Sequence, residues 1–140
     1  MENMIGHWAL VPELTTGHDE FAEAMGMTDE ERDTTRNFEY SFHLSRDGDG
    51  WHMKVRLGQL GTLVDTKFEP NVPFTYMLPD QVTKMTDVVT ERNGHLIERM
   101  KSEKGGVIIQ WDVDSYRDGD VLVMVQTKDG KSKKQTLRRQ

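Results

Sequence analysis

Residues 38–57 read FEYSFHLSRDGDGWHMKVRL and contain two runs in which apolar and polar side chains alternate. Strict alternation over four or more residues is typical of a half-buried β-strand. The Asp-Gly-Asp-Gly sequence between the runs favours the positive φ angles of a tight hairpin turn. We therefore expect two neighbouring antiparallel strands. The apolar face of the first consists of Phe38, Tyr40, Phe42 and Leu44.

The same alternation recurs along most of the chain. Turn sequences rich in Gly, Pro, Asn and Asp separate short segments with apolar positions. About ten strands at a spacing of roughly 8–12 residues are typical of a β-sandwich or an up-and-down barrel, and a barrel also removes exposed edges. The further strands are predicted at residues 5–11, 62–69, 74–78, 84–92, 95–101, 107–116, 121–127 and 131–138.

A helical pattern interrupts the strands after the first of them. Phe21 and Met25 are four residues apart and Gly26 follows, which predicts a short helix at residues 19–25. Thr28 and Glu31 have the spacing of a capping box, so a second helix is predicted at residues 28–36. Because this second helix has hardly any apolar side chain, we expect it to be a solvated lid.

The composition restricts the classes of function. The chain has 140 residues, no Cys and a net charge of -6, which predicts one domain at residues 1–140 and excludes thiol catalysis and thiolate metal sites. The acidic balance disfavours nucleic acid as a partner. The five His residues lack metal-binding spacing, and no nucleophile or phosphate-binding motif is present. We predict no catalytic residues, no metal and no cofactor, and we expect a monomer.

One strand, two helices and a long antiparallel meander resemble the plan of the fatty-acid-binding proteins. The opening Gly6-His7-Trp8 is similar to their Gly-x-Trp start, residues 19–26 resemble their amphipathic helix ending in Gly, and Asn93-Gly94 resembles their turn into a central strand. The resemblance covers essentially the whole chain. It implies a mainly β fold, a ten-stranded antiparallel up-and-down β-barrel of the lipocalin and fatty-acid-binding type with a two-helix lid.

A narrower resemblance is to the secretory-abundant heat-soluble proteins of tardigrades, which share this barrel. It rests on residues 35–38, 42–44 and 46–49, which read TRNF, FHL and RDGD. The resemblance implies a stress protectant that shields extracellular material during desiccation. A mean hydropathy of -0.70 with 30% charged residues agrees, because self-repulsion opposes aggregation. It also implies secretion, with the cytoplasm as the alternative location.

The carboxylate site of fatty-acid carriers has a recognisable pattern in this family, an Arg-x-Tyr pair on the last strand and another Arg two strands earlier. Here Arg138 matches the first Arg, whereas Gln140 replaces the Tyr. Asp112 and Asp114 lie in the region of the earlier Arg, where an acidic side chain would repel a fatty-acid headgroup. The resemblance therefore implies Arg138 as the anchor of an incomplete site. The other predicted ligand-binding residues are Met25, Phe38, Trp51, Met53, Val55, Leu60 and Trp111.

The C-terminal segment is locally basic, with a charge of +5 within a chain of net -6. Its charged residues are Lys128, Asp129, Lys131, Lys133, Lys134, Arg138 and Arg139. One interpretation is weak contact with an anionic membrane surface. The other is a solvated strand face whose Lys residues discourage strand addition.

Two functions therefore stay open. The first is a non-enzymatic heat-soluble protectant against stress and desiccation, which acts through its hydrophilic surface. The alternative is a carrier of a fatty acid or another small hydrophobic ligand, with Arg138 as anchor and Trp51, Met53, Val55 and Trp111 as cavity wall.

Overall fold

The computed structural model describes residues 1–140, apart from the side chain of Gln59. It contains ten strands and two α-helices. The helices are α1 (His18–Ala24) and α2 (Asp29–Arg36). The strands are β1 (Gly6–Leu10), β2 (Tyr40–Asp47), β3 (Gly50–Leu57), β4 (Gly61–Phe68), β5 (Phe74–Met77), β6 (Lys84–Arg92), β7 (His95–Lys104), β8 (Val107–Asp118), β9 (Val121–Lys128) and β10 (Lys131–Arg139).

All ten strands form one antiparallel sheet in the order β4-β3-β2-β1-β10-β9-β8-β7-β6-β5. Consecutive strands pair along the chain, except that β1 pairs with both β2 and β10 and so joins the two halves. The two edge strands, β4 and β5, face each other across a gap without a hydrogen-bonded ladder. The result is a nearly closed up-and-down barrel with two helices, which confirms the predicted fold class.

The β2–β3 hairpin follows from local sequence. Phe42 lies opposite Val55 and Leu44 opposite Met53, so the alternating apolar residues of both strands face the interior. The turn contains Gly48 at a φ of +61°, as the Asp-Gly sequence predicts. The predicted start of β2 at Phe38 is wrong, because the ladder begins at Tyr40 and residues 37–39 connect it to α2.

The two helices differ in how much of their surface is buried against the barrel. Thr28 caps α2 through a capping box with Glu31, and α2 buries no side chain, which confirms the prediction of a solvated helix. Helix α1 packs on β10 and β9 and buries Phe21 and Ala22. His18 links the helices, since its Nε2 lies 2.9 Å from the carbonyl oxygen of Arg32.

The hydrophobic core lies inside the barrel, towards the end opposite the helices. Trp8 is fully buried, and its indole N–H donates to the carbonyl of Met4 at 2.9 Å. Around it lie apolar side chains from β2, β3, β9 and β10. The N-terminal segment seals this end, because Met1 and Met4 are buried and the terminal amino group pairs with Glu91.

Candidate ligand site in the barrel interior

Two carboxyl groups, Asp87 and Glu98, lie inside the barrel. Asp87 lies between the inward-facing Met85 and Val89 on β6, and Glu98 lies between the inward-facing Leu96 and Met100 on β7. Alternation along a strand therefore forces both carboxyls inward. The β6–β7 register places Glu98 opposite Val89 and Asp87 opposite Met100, so the carboxyls are diagonal neighbours.

Burial changes the titration of both carboxyls. Asp87 is 2% exposed and Glu98 is 9% exposed, and burial raises the pKa of each because it disfavours the charged form. The negative charge of Asp87 raises the pKa of Glu98 further. Because the two groups interact, they titrate together, and the pair holds protons to a higher pH than free carboxyls do.

Two tyrosines, Tyr40 of β2 and Tyr76 of β5, lie near this pair. Burial raises the pKa of both phenols, and the carboxyls of Glu98 and Asp87 raise it further. Both side chains nevertheless keep part of their surface accessible. Both lie at inward-facing positions, Tyr40 in the same parity as the buried Phe42 and Tyr76 in the same parity as Phe74.

A second polar group comes from β8, β9 and β10. The indole N–H of Trp111 donates to Gln126 Oε1 at 3.2 Å, and Gln126 Nε2 donates to Gln135 Oε1 at 2.8 Å. Lys133 lies opposite Gln126 and is 9% exposed. Burial lowers the pKa of the Lys133 amine to about 8. The barrel interior is therefore polar at several places and is not a uniformly apolar cavity.

The structure brings part of the predicted ligand-binding set together. Trp51, Met53 and Val55 lie buried on the inner face of β3. Trp111 lies half-buried on the inner face of β8, within the second half of the barrel. Met25 and Phe38 are half-buried in the segments that flank the helices: Met25 follows α1, and Phe38 precedes β2.

Two of the predicted residues lie elsewhere. Leu60 is 51% exposed in the short 3-10 segment between β3 and β4, outside the barrel interior, so its role in ligand binding stays a prediction without support from its position. Arg138 is exposed on β10, whereas Gln135 and Leu137 are buried. The expected alignment of Arg138 with an inward-facing position is wrong, because it has the opposite parity on the strand. Its anchoring role stays a prediction without support from its position.

The acidic residues of β8 also face away from the interior. Asp112 is exposed and lies 3.8 Å from Arg99, and Asp114 pairs with His95 at 2.7 Å. The expectation that they would repel a ligand headgroup inside the barrel is therefore wrong. Asp87, Glu98 and Lys133 are interior charges that were not predicted from the sequence. Apolar residues two positions before and after each carboxyl were the signal that indicated them.

A pocket of about 440 Å³ opens at the gap between β4 and β5. Its apolar wall includes Trp51, Phe68 and Phe74, and Asp47 and Glu69 lie at its edge. Arg46 lies over the Trp51 ring, 4.1 Å from its centroid, and so covers the adjoining end of the barrel. Among the described residues there is no group of three or more potential metal ligands, and no described helix meets the length and hydropathy of a membrane span.

Solved structures with this architecture include several lipid carriers. Fatty-acid-binding protein 1 of Echinococcus granulosus is 17% identical, with 99% of this chain and 98% of that chain covered and a TM-score of 0.76. Lipid binding protein 8 of Caenorhabditis elegans is 18% identical, with 100% and 97% covered and a TM-score of 0.79. A fatty-acid-binding protein of Schistosoma mansoni, solved in complex with arachidonic acid, is 16% identical, with 100% and 98% covered and a TM-score of 0.79.

Comparison of the sequence with family models and with curated proteins finds no match. In these three cases the structural likeness extends over the full length of the chain, although only 16% to 18% of the residues are identical. What the proteins share at this level of identity is the arrangement of strands and helices. The chain therefore has the fold of the fatty-acid-binding proteins.

Proposed function

We propose that this protein is a non-enzymatic carrier that binds a small, mainly apolar molecule inside the barrel. One observation carries this proposal: Tyr40, Tyr76, Met100 and Trp111 point inward but keep accessible surface, although the core beside them is fully buried. Accessible apolar surface at inward-facing positions, with a few polar groups that fix orientation, is typical of a ligand site. The carriers that share the fold support the same function.

Calorimetry on delipidated protein tests the carrier function. The probes are dodecanoic acid, dodecanol and dodecylamine, each below its micellar concentration. One-to-one binding of any of the three at micromolar affinity is the expected result. A Val113→Trp variant should then weaken binding at least tenfold, because Val113 is a buried inward residue of β8 and a larger side chain fills the space.

The matched control is Ile108→Trp, because Ile108 lies at an outward-facing position of the same strand and is 55% exposed. It adds the same indole group outside the barrel and should leave binding unchanged. Equal weakening in both variants, or no binding of the three probes by the parent protein, would contradict the proposal.

A second candidate function, protection against heat and drying, follows from the surface. Few of the 18 basic and 24 acidic residues are buried, so the exterior of the protein is densely charged. Such a surface keeps a chain dispersed as water is lost. A protein with this protective function is expected to act outside the cell. The test is the activity of a labile enzyme after drying, compared with serum albumin as protectant, and protection no better than that of albumin would contradict it.

The basic strand supports a narrower proposal of weak contact with anionic membranes by a monomeric protein. Lys131, Lys134 and Arg138 are exposed on β10, whereas Lys133 lies inside. The side chain of Arg139 has contacts within the protein instead: its guanidinium group lies over the Trp8 ring at 4.4 Å and donates to the carbonyl of Ile5. Cosedimentation with phosphatidylserine vesicles should be salt-sensitive and lost when the three exposed cations are replaced by Gln. Binding that survives this replacement would contradict it.

A further inference from the structure

The Asp87–Glu98 pair is an acidic site inside the barrel without an ion-pair partner. No Lys, Arg or His of the described residues forms an ion pair with either carboxyl. The buried amine of Lys133 belongs to β10, and burial alone accounts for its lowered pKa. Burying a carboxylate is costly unless a cation or several donors compensate it.

Two buried oxygen atoms in this region also lack donors. Asp87 Oδ1 accepts no hydrogen bond from an N–H or hydroxyl group of the described residues, and Ser115 Oγ on β8 has no partner among them either. Asp87 is 2% exposed and Ser115 is 1% exposed. Ser115 is diagonal to Glu98 across the β7–β8 ladder. Buried polar atoms without partners are rare, so these oxygens indicate a missing hydrogen-bond donor.

The surroundings offer an apolar wall that leads to the pocket at the β4–β5 gap, because Phe74 also lines that pocket. Tyr76, Phe74 and Met100 are half-buried against the core, and Phe74 and Met100 lie directly opposite Asp87 on the two neighbouring strands. An aliphatic chain could therefore lie along this apolar wall while its polar end meets the carboxyls. The phenol of Tyr40, on the opposite part of the barrel, adds a further oxygen near Glu98.

We propose that the Asp87–Glu98 pair binds the ammonium group of an aliphatic primary amine, so that the cargo of the barrel is a cationic amphiphile rather than a fatty acid. This inference rests on the proposed carrier function and names the ligand class. An ammonium group offers three N–H donors and one positive charge, which match the two carboxyls and their unpartnered oxygen. A fatty-acid carboxylate at the same place would be a third acidic group in a desolvated site.

The experiment compares dodecylamine, dodecanol and dodecanoic acid by calorimetry at pH 7. We expect dodecylamine to bind at least tenfold more tightly than dodecanol. The acid should bind most weakly. Glu98→Gln and Asp87→Asn should each reduce dodecylamine affinity at least tenfold and leave dodecanol affinity within about twofold.

The control variant is Asp112→Asn, which removes one carboxylate from the outer face of β8. It should bind all three probes as the parent does. Both site variants keep side chains of nearly the same volume, and circular dichroism melting confirms that they fold.

Two results would overturn the inference while the carrier function stands: dodecanol or dodecanoic acid binding as tightly as dodecylamine, or amine affinity unchanged in both site variants. Absence of binding by all three probes would instead overturn the carrier function together with it.

Discussion

Gly17 lies against the backbone of Ser132, so closely that a Cβ atom on Gly17 would be 2.1 Å from the Ser132 carbonyl oxygen. The contact joins the start of α1 to β10, where Thr16 and Lys134 exchange backbone hydrogen bonds of 3.0 and 2.9 Å. Gly17 also has a φ of +75°, a conformation that L side chains rarely adopt. The docking of the first helix therefore depends on the absence of a side chain at this position.

Replacement of Gly17 by Ala should destabilise the protein by about 3 kcal/mol, since backbone strain of about 1–2 kcal/mol adds to an overpacking cost of about 1–3 kcal/mol. Gly26→Ala is the matched control, because Gly26 has a φ of +76° and no atom within 4 Å of its added Cβ. It should lose only the strain contribution. Urea unfolding measures both, and equal losses would contradict the close contact.

The carboxyl pair predicts how stability depends on pH. Because the folded pKa values of Asp87 and Glu98 are raised, the folded state binds more protons than the unfolded state above pH 5. The free energy of unfolding should therefore fall as pH rises from 5 to 8, by up to about 1.4 kcal/mol per pH unit for each extra proton held.

Glu98→Gln should flatten this pH dependence, whereas Glu13→Gln, at an exposed position, should not. Urea unfolding at pH 5, 6, 7 and 8 measures the slope for each protein. A parental slope that persists in Glu98→Gln would show that other groups are responsible.

Lys133 predicts the opposite slope in alkaline solution. Burial lowers the pKa of its amine from 10.5 to about 8, so between these values the unfolded state binds more protons than the folded state. Stability contributed by this group should rise with pH from about 8 to 10. Lys133→Met should remove that rise and stabilise the protein at pH 7 by roughly 1 kcal/mol or more, because a buried ammonium group is lost.

Lys134→Met is the control for Lys133, since Lys134 is the next residue of β10 and its side chain is exposed. It should change neither the slope nor the stability at pH 7 by more than about 0.5 kcal/mol. Thermal melts at pH 7, 8, 9 and 10 make the comparison. A parental slope in Lys133→Met would place the titrating group elsewhere.

The cap of α2 should govern local rather than global stability. Thr28→Ala removes the side-chain oxygen that accepts from the Glu31 amide at 3.1 Å, a loss of about 1 kcal/mol. Because α2 buries no side chain, we expect amide exchange in residues 29–36 to quicken about fivefold, with the melting temperature nearly unchanged. Thr34→Ala, in the same helix but without a capping role, should not quicken exchange. Equal effects of the two variants would contradict the assignment.

Local sequence made much of the fold predictable. Alternation in residues 38–57 and the Asp-Gly turn gave the β2–β3 hairpin, and the Thr28 and Glu31 spacing gave the start of α2. Such features were readable because turn geometry and capping involve residues only a few positions apart. The resemblance to fatty-acid-binding proteins then supplied the order of the whole sheet, which the structure confirms.

The candidate site was less predictable, and β10 shows why. Its single apolar residue, Leu137, faces inward and sets the parity of Lys133 and Gln135, whereas the alignment based on Arg138 assumed the other parity. A shift of one residue moves every side chain to the opposite face. In a strand with so few apolar residues, hydrophobicity specifies the register weakly, so pairing with β9 and β1 decides it.

By itself, the sequence determined the strands, the turns, the capped helix and the charged exterior, because these depend on nearest neighbours and on composition. Only the tertiary structure decided that Asp87 and Glu98 lie together in the barrel interior and that Asp112 and Asp114 face solvent. The reason is geometric: the ladders place β6 beside β7 and close the sheet around them, so two carboxyls eleven residues apart become diagonal neighbours in a desolvated interior. Burial then changes their chemistry, which no local pattern encodes.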